Sequence, residues 1–165
     1  MRCLYLWAGK EKSGLAAFED SRIVSVGIDE DADLTICSDI AEVSLRDLQR
    51  RGPYDFIWAS PDCKVWSLAN LHSGHWKKDE WANQFIPQTP KAKGMIARVK
   101  HTLWLIEELR PTYWILENPY GILRHMLFMK KYQLAEVTYC QYGDENRMKP
   151  TDLWGRFPRS FKPLR

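Results

Sequence analysis

The sequence predicts an α/β fold: a mostly parallel sheet with helices on both faces. Three observations lead there. Short apolar runs recur along the chain, and stretches with apolar residues at helical spacing lie between them. The runs are rich in β-branched and aromatic residues and close on Gly, Pro, Asp or Ser. The chain has 165 residues, 45% of them apolar, which suits one domain over residues 1–165 with a core of its own.

Residues 2–7 read as a first strand, 8–14 as a turn holding Gly9 and Gly14, and 15–18 as the start of a helix. Residues 22–28 are a second strand, rich in valine and isoleucine, that ends in Asp29-Glu30-Asp31. A short third strand over 34–37 is closed by Ser38-Asp39. Helical spacing follows over 43–51, with Ser44 placed to cap it. Residues 55–59 form the fourth strand. Residues 60–92 show no clear period and hold Gly74, Pro87 and Pro90, so the block 60–93 reads as one long loop of functional kind. Ile96, Val99, Leu103, Ile106 and Leu109 predict a helix over 92–109, ended by Arg110-Pro111. Then come a strand over 113–116, a helix over 122–131, a strand over 133–139, a last strand over 151–155 and a basic tail over 156–165. Strands alternating with helices give a mostly parallel sheet.

The net charge of +3 is too mild to imply a nucleic-acid partner by itself. Its distribution is more telling: Arg147, Lys149, Arg156, Arg159, Lys162 and Arg165 stand against only Asp152, a basic end that can touch phosphates, although charge alone favours a solvated terminus. Trp66, Trp76 and Trp81, three of eight tryptophans, fall in the long loop, interleaved with lysines. That mixture suits backbone contact and base stacking. Cys3, Cys37, Cys63 and Cys140 are far apart and match no zinc or disulfide framework. His72 and His75 lack companion ligands, so no metal is expected. The chain starts in a strand-like run rather than a signal peptide, and no apolar stretch has bilayer length. A cytoplasmic, reducing setting without membrane contact is expected, with Cys63 a free thiol.

The chemistry concentrates at two strand ends. Cys63 follows the fourth strand in Ser60-Pro61-Asp62-Cys63, and Glu117 closes the fifth in Glu117-Asn118-Pro119. Open α/β sheets bind ligands at the carboxyl ends of their strands. A thiol that attacks and a carboxyl that protonates, facing one pocket, are a covalent-catalysis pair. The first strand-turn-helix offers a cofactor cradle at Trp7-Ala8-Gly9. Asp29, with Glu30 beside it, stands where ribose hydroxyls are held, and Asp39 is placed to accept from an exocyclic amine.

In that order, the glycine turn, two acids, Pro-x-Cys and Glu-Asn-Pro resemble the catalytic domain of the DNA (cytosine-5) methyltransferase family. The resemblance runs from about Leu4 to Gly155. Leu6-Trp7-Ala8-Gly9 is similar to the family's first motif, Ser38-Asp39-Ile40 to its Gly-Asp-Ile step, and Ser60-Pro61-Asp62-Cys63 to its Ser-Pro-Pro-Cys nucleophile motif. Ser67 resembles the serine after that motif, Glu117-Asn118-Pro119 its Glu-Asn-Val, and Tyr142-Gly143 with Arg147 and Lys149 its Tyr-Gly segment and Gln-x-Arg-x-Arg.

The resemblance implies a Rossmann-like methyltransferase fold, S-adenosylmethionine as cofactor and DNA, duplex or single-stranded, as partner. It implies methyl transfer to C5 of cytosine through a covalent adduct of Cys63 with C6. Glu117 would protonate N3, Asn118 would hold the loop, and Arg147 would hold the base or a nearby phosphate. Trp7, Ala8, Gly9, Asp29, Glu30, Asp39, Ile40 and Pro61 would face the cofactor, and Ser60, Ser67 and Lys149 the substrate. A thiolate nucleophile is favoured by a nearby cation, and Lys64 is adjacent. The target base would have to leave the duplex.

The chain departs from the family pattern in several places. Lys10-Glu11-Lys12 stands where a second glycine belongs, Asp62 replaces a proline, Pro119 a valine, and Glu145 a glutamine. The family's recognition domain and terminal helix have no counterpart within the 165 residues. Small forms of this kind look like phage-encoded methylases, which would act in the host cytoplasm. A homodimer or a partner protein would then replace the recognition domain. Two other functions stay open: a silent relative that binds nucleic acid or a host protein, and C5 alkyl transfer from a modified sulfonium donor paired with Lys10, Lys12 or Lys149.

Overall fold

The structure is a computed structural model that describes residues 1–9, 22–68, 73–79, 81, 84–141 and 148–164. In chain order the strands are β1 (Arg2–Leu6), β2 (Arg22–Gly27), β3 (Ile36–Cys37), β4 (Phe56–Ala59), β5 (Trp76–Asp79), β6 (Gln84–Pro87), β7 (Tyr113–Pro119), β8 (Gln133–Thr138) and β9 (Pro150–Arg156). The helices are α1 (Leu45–Arg51) and α2 (Pro90–Leu109).

Seven strands make one sheet in the order β3-β2-β1-β4-β7-β9-β8. The first five pair in parallel, with Leu4 opposite both Val24 and Ile57, and Ile57 opposite Trp114. β9 runs antiparallel between β7 and β8, placing Asp152 opposite both Asn118 and Glu136. The mostly parallel sheet expected from the sequence is present.

Strand side chains alternate between two faces. Leu4, Leu6, Ile57 and Leu116 share a core cluster with Leu48 of α1 and with Val99, Leu103 and Ile106 of α2. Cys3 and Tyr5 gather with Phe56 and Trp58 in a second cluster, and Ala135, Val137 and Leu153 with Phe157 and Phe161 in a third. Among the described residues, both α-helices contribute to the first cluster. The helix expected to begin at residue 15 lies outside the described residues.

α2 begins two residues earlier than the periodicity suggests. Thr89 caps it by accepting from the Ala92 amide at 3.2 Å, and Pro90 fits the first turn, where its missing N–H is no loss. The structure corrects two expectations. Part of the long loop is the antiparallel hairpin β5–β6, anchored by buried Trp76 and Phe85. Its strands are four residues each, and Lys77 and Lys78 are both exposed, so no alternation showed. The helix expected over 122–131 is two short 3-10 turns, Ile122–His125 and Leu127–Met129, separated by an extended Met126 (φ −72°, ψ 129°). Long-range bonds hold this segment: Ile122 N–H donates to the Trp66 carbonyl at 2.8 Å, and Arg124 reaches Asp152 and Glu136. Such tertiary ties override local propensity.

Candidate active site

The chain leaves β1 toward β2 and β3, then returns to β4 on the other side of β1. Ligands of open α/β sheets occupy the crevice at such a switch point. A cavity of about 660 Å³ opens there. Trp7, Ala8 and Gly9 wall it from the turn after β1, and Gly27, Ile28 and Asp29 from the end of β2. Ser38, Asp39 and Ile40 close it beyond β3, and Ser60, Asp62 and Lys64 beyond β4. Lys91, Met95 and Arg98 of α2 complete it. Of the cofactor candidates, Glu30 is exposed and Pro61 buried, and neither is among these walls. Lys10 and Lys12 lie outside the described residues.

The β1 turn is unusual. Trp7 has φ 68°, the left-handed region that bulky residues seldom enter. Its indole N–H donates to Thr102 Oγ1 at 3.0 Å, and the next amide, of Ala8, donates to the Val26 carbonyl at 2.8 Å. A tryptophan thus takes a backbone shape that glycine adopts freely, with α2 holding its ring. Gly27, which the sequence reading passed over, permits this closeness: a Cβ there would lie 2.0 Å from the Ala8 carbonyl oxygen. A valine-rich strand ending in Gly27 was the available signal.

Asp39 has a partner that the sequence could not reveal. Its Oδ1 accepts from the Ala41 amide at 2.9 Å and from Arg98 Nε at 2.9 Å, and its Oδ2 accepts from Arg98 Nη2 at 2.6 Å. The bond to Arg98 holds the Asp39 carboxyl below its ordinary 3.8, although partial burial opposes this. Arg98, Lys91 and Met95 were not expected in the site, because only the packing of α2 brings them there.

Cys63 stands exposed on a tight turn after β4. Asp62 Oδ1 accepts from the Lys64 amide at 3.0 Å, and the Trp66 amide donates to the Cys63 carbonyl at 3.1 Å. Both ends of this turn are fastened to the segment that carries Glu117. Buried Asn118 donates from Nδ2 to the Pro61 carbonyl at 2.9 Å. At the other end the Ile122 amide holds the Trp66 carbonyl, and Gly121 comes so close that a Cβ would lie 2.4 Å from that oxygen. The Cys63 turn and the Glu117 strand end are therefore tied together by hydrogen bonds, although Cys63 is not among the residues that line the cavity beside Glu117.

Glu117 is half-buried and lines a second, smaller cavity of about 240 Å³ with Trp58, Ile115, Thr151 and Phe161. The Trp58 indole N–H donates to Ser60 Oγ at 2.6 Å, so Ser60 links the walls of the two cavities. Ser67 is half-buried just past the turn, and Lys149 is exposed ahead of β9. Arg147, with Tyr142, Gly143 and Glu145, lies outside the described residues, as does His72. His75 Nδ1 bonds Thr89 Oγ1 at 2.8 Å.

Opposite Asn118 on β9, Asp152 is fully buried and paired with Arg124, which also bonds Glu136 at 2.8 Å and lies over the Tyr120 ring at 3.9 Å. This network braces the segment between β7 and β8.

The first cavity fits S-adenosylmethionine. Its volume is that of a site for a drug-sized ligand. Trp7, Ile40 and Met95 offer apolar walls for a base, and the Asp29 carboxylate is of the kind that holds ribose hydroxyls. Among the described residues no helix is long and apolar enough to cross a membrane.

No family model matches the chain. A protein of Frog virus 3 (isolate Goorha), described as a probable DNA (cytosine-5)-methyltransferase, is 27% identical over 156 residues, covering 93% of this chain and 70% of that protein. A solved chain from E. coli, described as a DNA modification methyltransferase encoded within a prophage, superposes with a TM-score of 0.64 at 17% identity, over 97% of this chain and 47% of the other. The Dnmt2 methyltransferase of S. pombe superposes with a TM-score of 0.60 at 14% identity, over 98% of this chain and 51% of its own. The chain thus spans about half the length of these solved structures. The resemblance carried by the motifs recurs in the sequence of the viral protein, and the chain shares the fold of the solved methyltransferases.

Proposed function

We propose that the chain transfers a methyl group from S-adenosylmethionine to C5 of cytosine in DNA. The observation that carries this reading is the Asn118–Pro61 bond, which joins the Cys63 turn to the Glu117 strand end beside the cofactor-sized cavity. The viral relative's description as a cytosine-5 methyltransferase supports the substrate class.

Cytosine C5 is a weak nucleophile. In the proposed reaction the Cys63 thiolate adds to C6 and the C5–C6 double bond opens. Glu117 delivers a proton to N3, so the electron pair rests on C5 rather than on the ring nitrogen. Trp7–Gly9, Asp29 and Ile40 would hold the cofactor, which would supply an electrophilic methyl group on its sulfonium. Loss of the C5 proton to solvent then re-forms the C5–C6 double bond and expels the Cys63 thiolate, and the N3 proton returns to Glu117. Asn118 acts through Pro61 and positions the nucleophile. Arg147 and Lys149 are assigned to the base or its phosphates, and Ser60 and Ser67 to the nucleotide.

The test is nucleoside mass spectrometry of DNA incubated with the protein and S-adenosylmethionine. Appearance of 5-methylcytosine is expected, with loss in Cys63→Ala and Glu117→Gln. DNA carrying 5-fluorocytosine should be trapped covalently, because fluorine cannot leave C5 as a proton does. Absence of any transfer, or a Cys63→Ala protein equal to wild type, overturns the reading.

A further inference from the structure

The segment after β9 turns back over the sheet face that carries Glu117. The Phe161 amide donates to the Pro158 carbonyl at 2.9 Å, making a turn with Arg159 and Ser160 at its tip. Further on, the Leu164 carbonyl accepts from the Thr138 amide at 3.1 Å, at the end of β8. The segment therefore returns to the catalytic edge of the sheet. Phe157 and Phe161 stack at 4.8 Å and pack against Leu153 and Val137. Only Phe161 of the two walls the cavity that Glu117 lines. Arg159 and Lys162, on either side of Phe161, are exposed.

We propose that this C-terminal segment completes the nucleotide site, with Phe161 as the stacking wall for the base beside Glu117 and with Arg159 and Lys162 on the phosphates of the same strand. The proposal rests on the methyl-transfer reading for the identity of the base. Three features fit an occupant of this kind. At about 240 Å³ the slot is smaller than a drug-sized ligand needs, which suits a single planar base. Its walls are almost wholly apolar and aromatic, as the flat faces of a base require, and Glu117 is among the residues that line it. The cations stand beside its aromatic wall, the arrangement of stacking surface and basic rim that binds single nucleic-acid strands. A segment that only covered an apolar face would require neither the aromatic ring at 161 nor the charges.

The experiment is fluorescence anisotropy with a labelled cytosine-containing DNA, as duplex and as single strand, titrated between 50 and 200 mM salt. Phe161→Leu, which keeps apolar volume but removes the ring, should bind about tenfold more weakly, as loss of one stacked base predicts. Phe161→Tyr should bind like wild type, and so should Phe157→Leu, whose ring does not reach the slot. Arg159→Ala with Lys162→Ala should lower the salt slope by about two. The inference is overturned if Phe161→Leu binds like wild type, if Phe161→Tyr fails as badly as Phe161→Leu, or if the double variant leaves the slope unchanged. These readouts need no catalysis. A protein that binds DNA in this way and never methylates it would sink the transfer reading and keep the segment's role.

Discussion

Asn118→Ala is the sharpest perturbation of the site, because it removes one hydrogen bond and touches no reacting atom. Asn118 is 1% exposed and donates to the Pro61 carbonyl at 2.9 Å. Truncation leaves that carbonyl without its side-chain partner in a place water does not reach, at a cost of about 1–3 kcal/mol. The bond from Ile122 to Trp66 survives, so the turn stays attached at its far end while the Cys63 end loosens. If the whole cost falls on holding Cys63 for attack, the rate of the chemical step drops about 5- to 150-fold. The melting temperature should fall by about 2–12 °C, since each kcal/mol moves it about 2–4 °C in a chain of this size. Single-turnover methyl transfer and a thermal melt measure both. Affinity for DNA should not change, because Asn118 faces the turn. A variant that melts lower yet keeps the wild-type single-turnover rate would refute the positioning argument and leave Asn118 a structural residue only.

Other outcomes follow from the same geometry. Arg124→Met strands the fully buried Asp152 without its guanidinium and should cost about 3–5 kcal/mol, read by denaturant unfolding; a loss below about 1 kcal/mol would contradict the buried pairing. Gly27→Ala places a methyl 2.0 Å from the Ala8 carbonyl oxygen and should lower affinity for S-adenosylmethionine at least tenfold by calorimetry, as the two strand ends spread. Tyr54 donates to the Leu48 carbonyl at 2.9 Å, and burial pushes its phenol up to about 12. Its folded value exceeds the ordinary 10.0, so its contribution is complete below pH 10 and is lost as pH rises through 12. Tyr54→Phe should flatten the stability loss over that window.

Much of the architecture was legible in the sequence because it is written locally. β1, β2, β4 and α2 announce themselves by apolar runs and by the spacing of Ile96, Val99, Leu103 and Ile106, since burial on one face imposes those periods. The hairpin β5–β6 escaped notice because four-residue strands with Lys77 and Lys78 both exposed carry too little period to read. The segment 122–131 has helical spacing, yet Met126 is extended, because bonds to Trp66 and Asp152 outweigh a weak local preference.

The candidate chemistry divides in the same way. Residue type and order alone marked Cys63, Glu117 and the acids Asp29 and Asp39, since nucleophile, proton donor and ribose acceptor each demand a particular functional group. Their relative placement could not be read from the chain. That Asn118 holds Pro61, that Arg98 occupies Asp39, that Gly27 lets Trp7 take a glycine's conformation and that Phe161 walls the slot beside Glu117 are all contacts between distant segments. The sequence by itself determined which chemical groups are available and the sheet that carries them. Only the tertiary structure decided which groups meet, because pairings across tens of residues depend on strand order and helix packing, and neither leaves a local period.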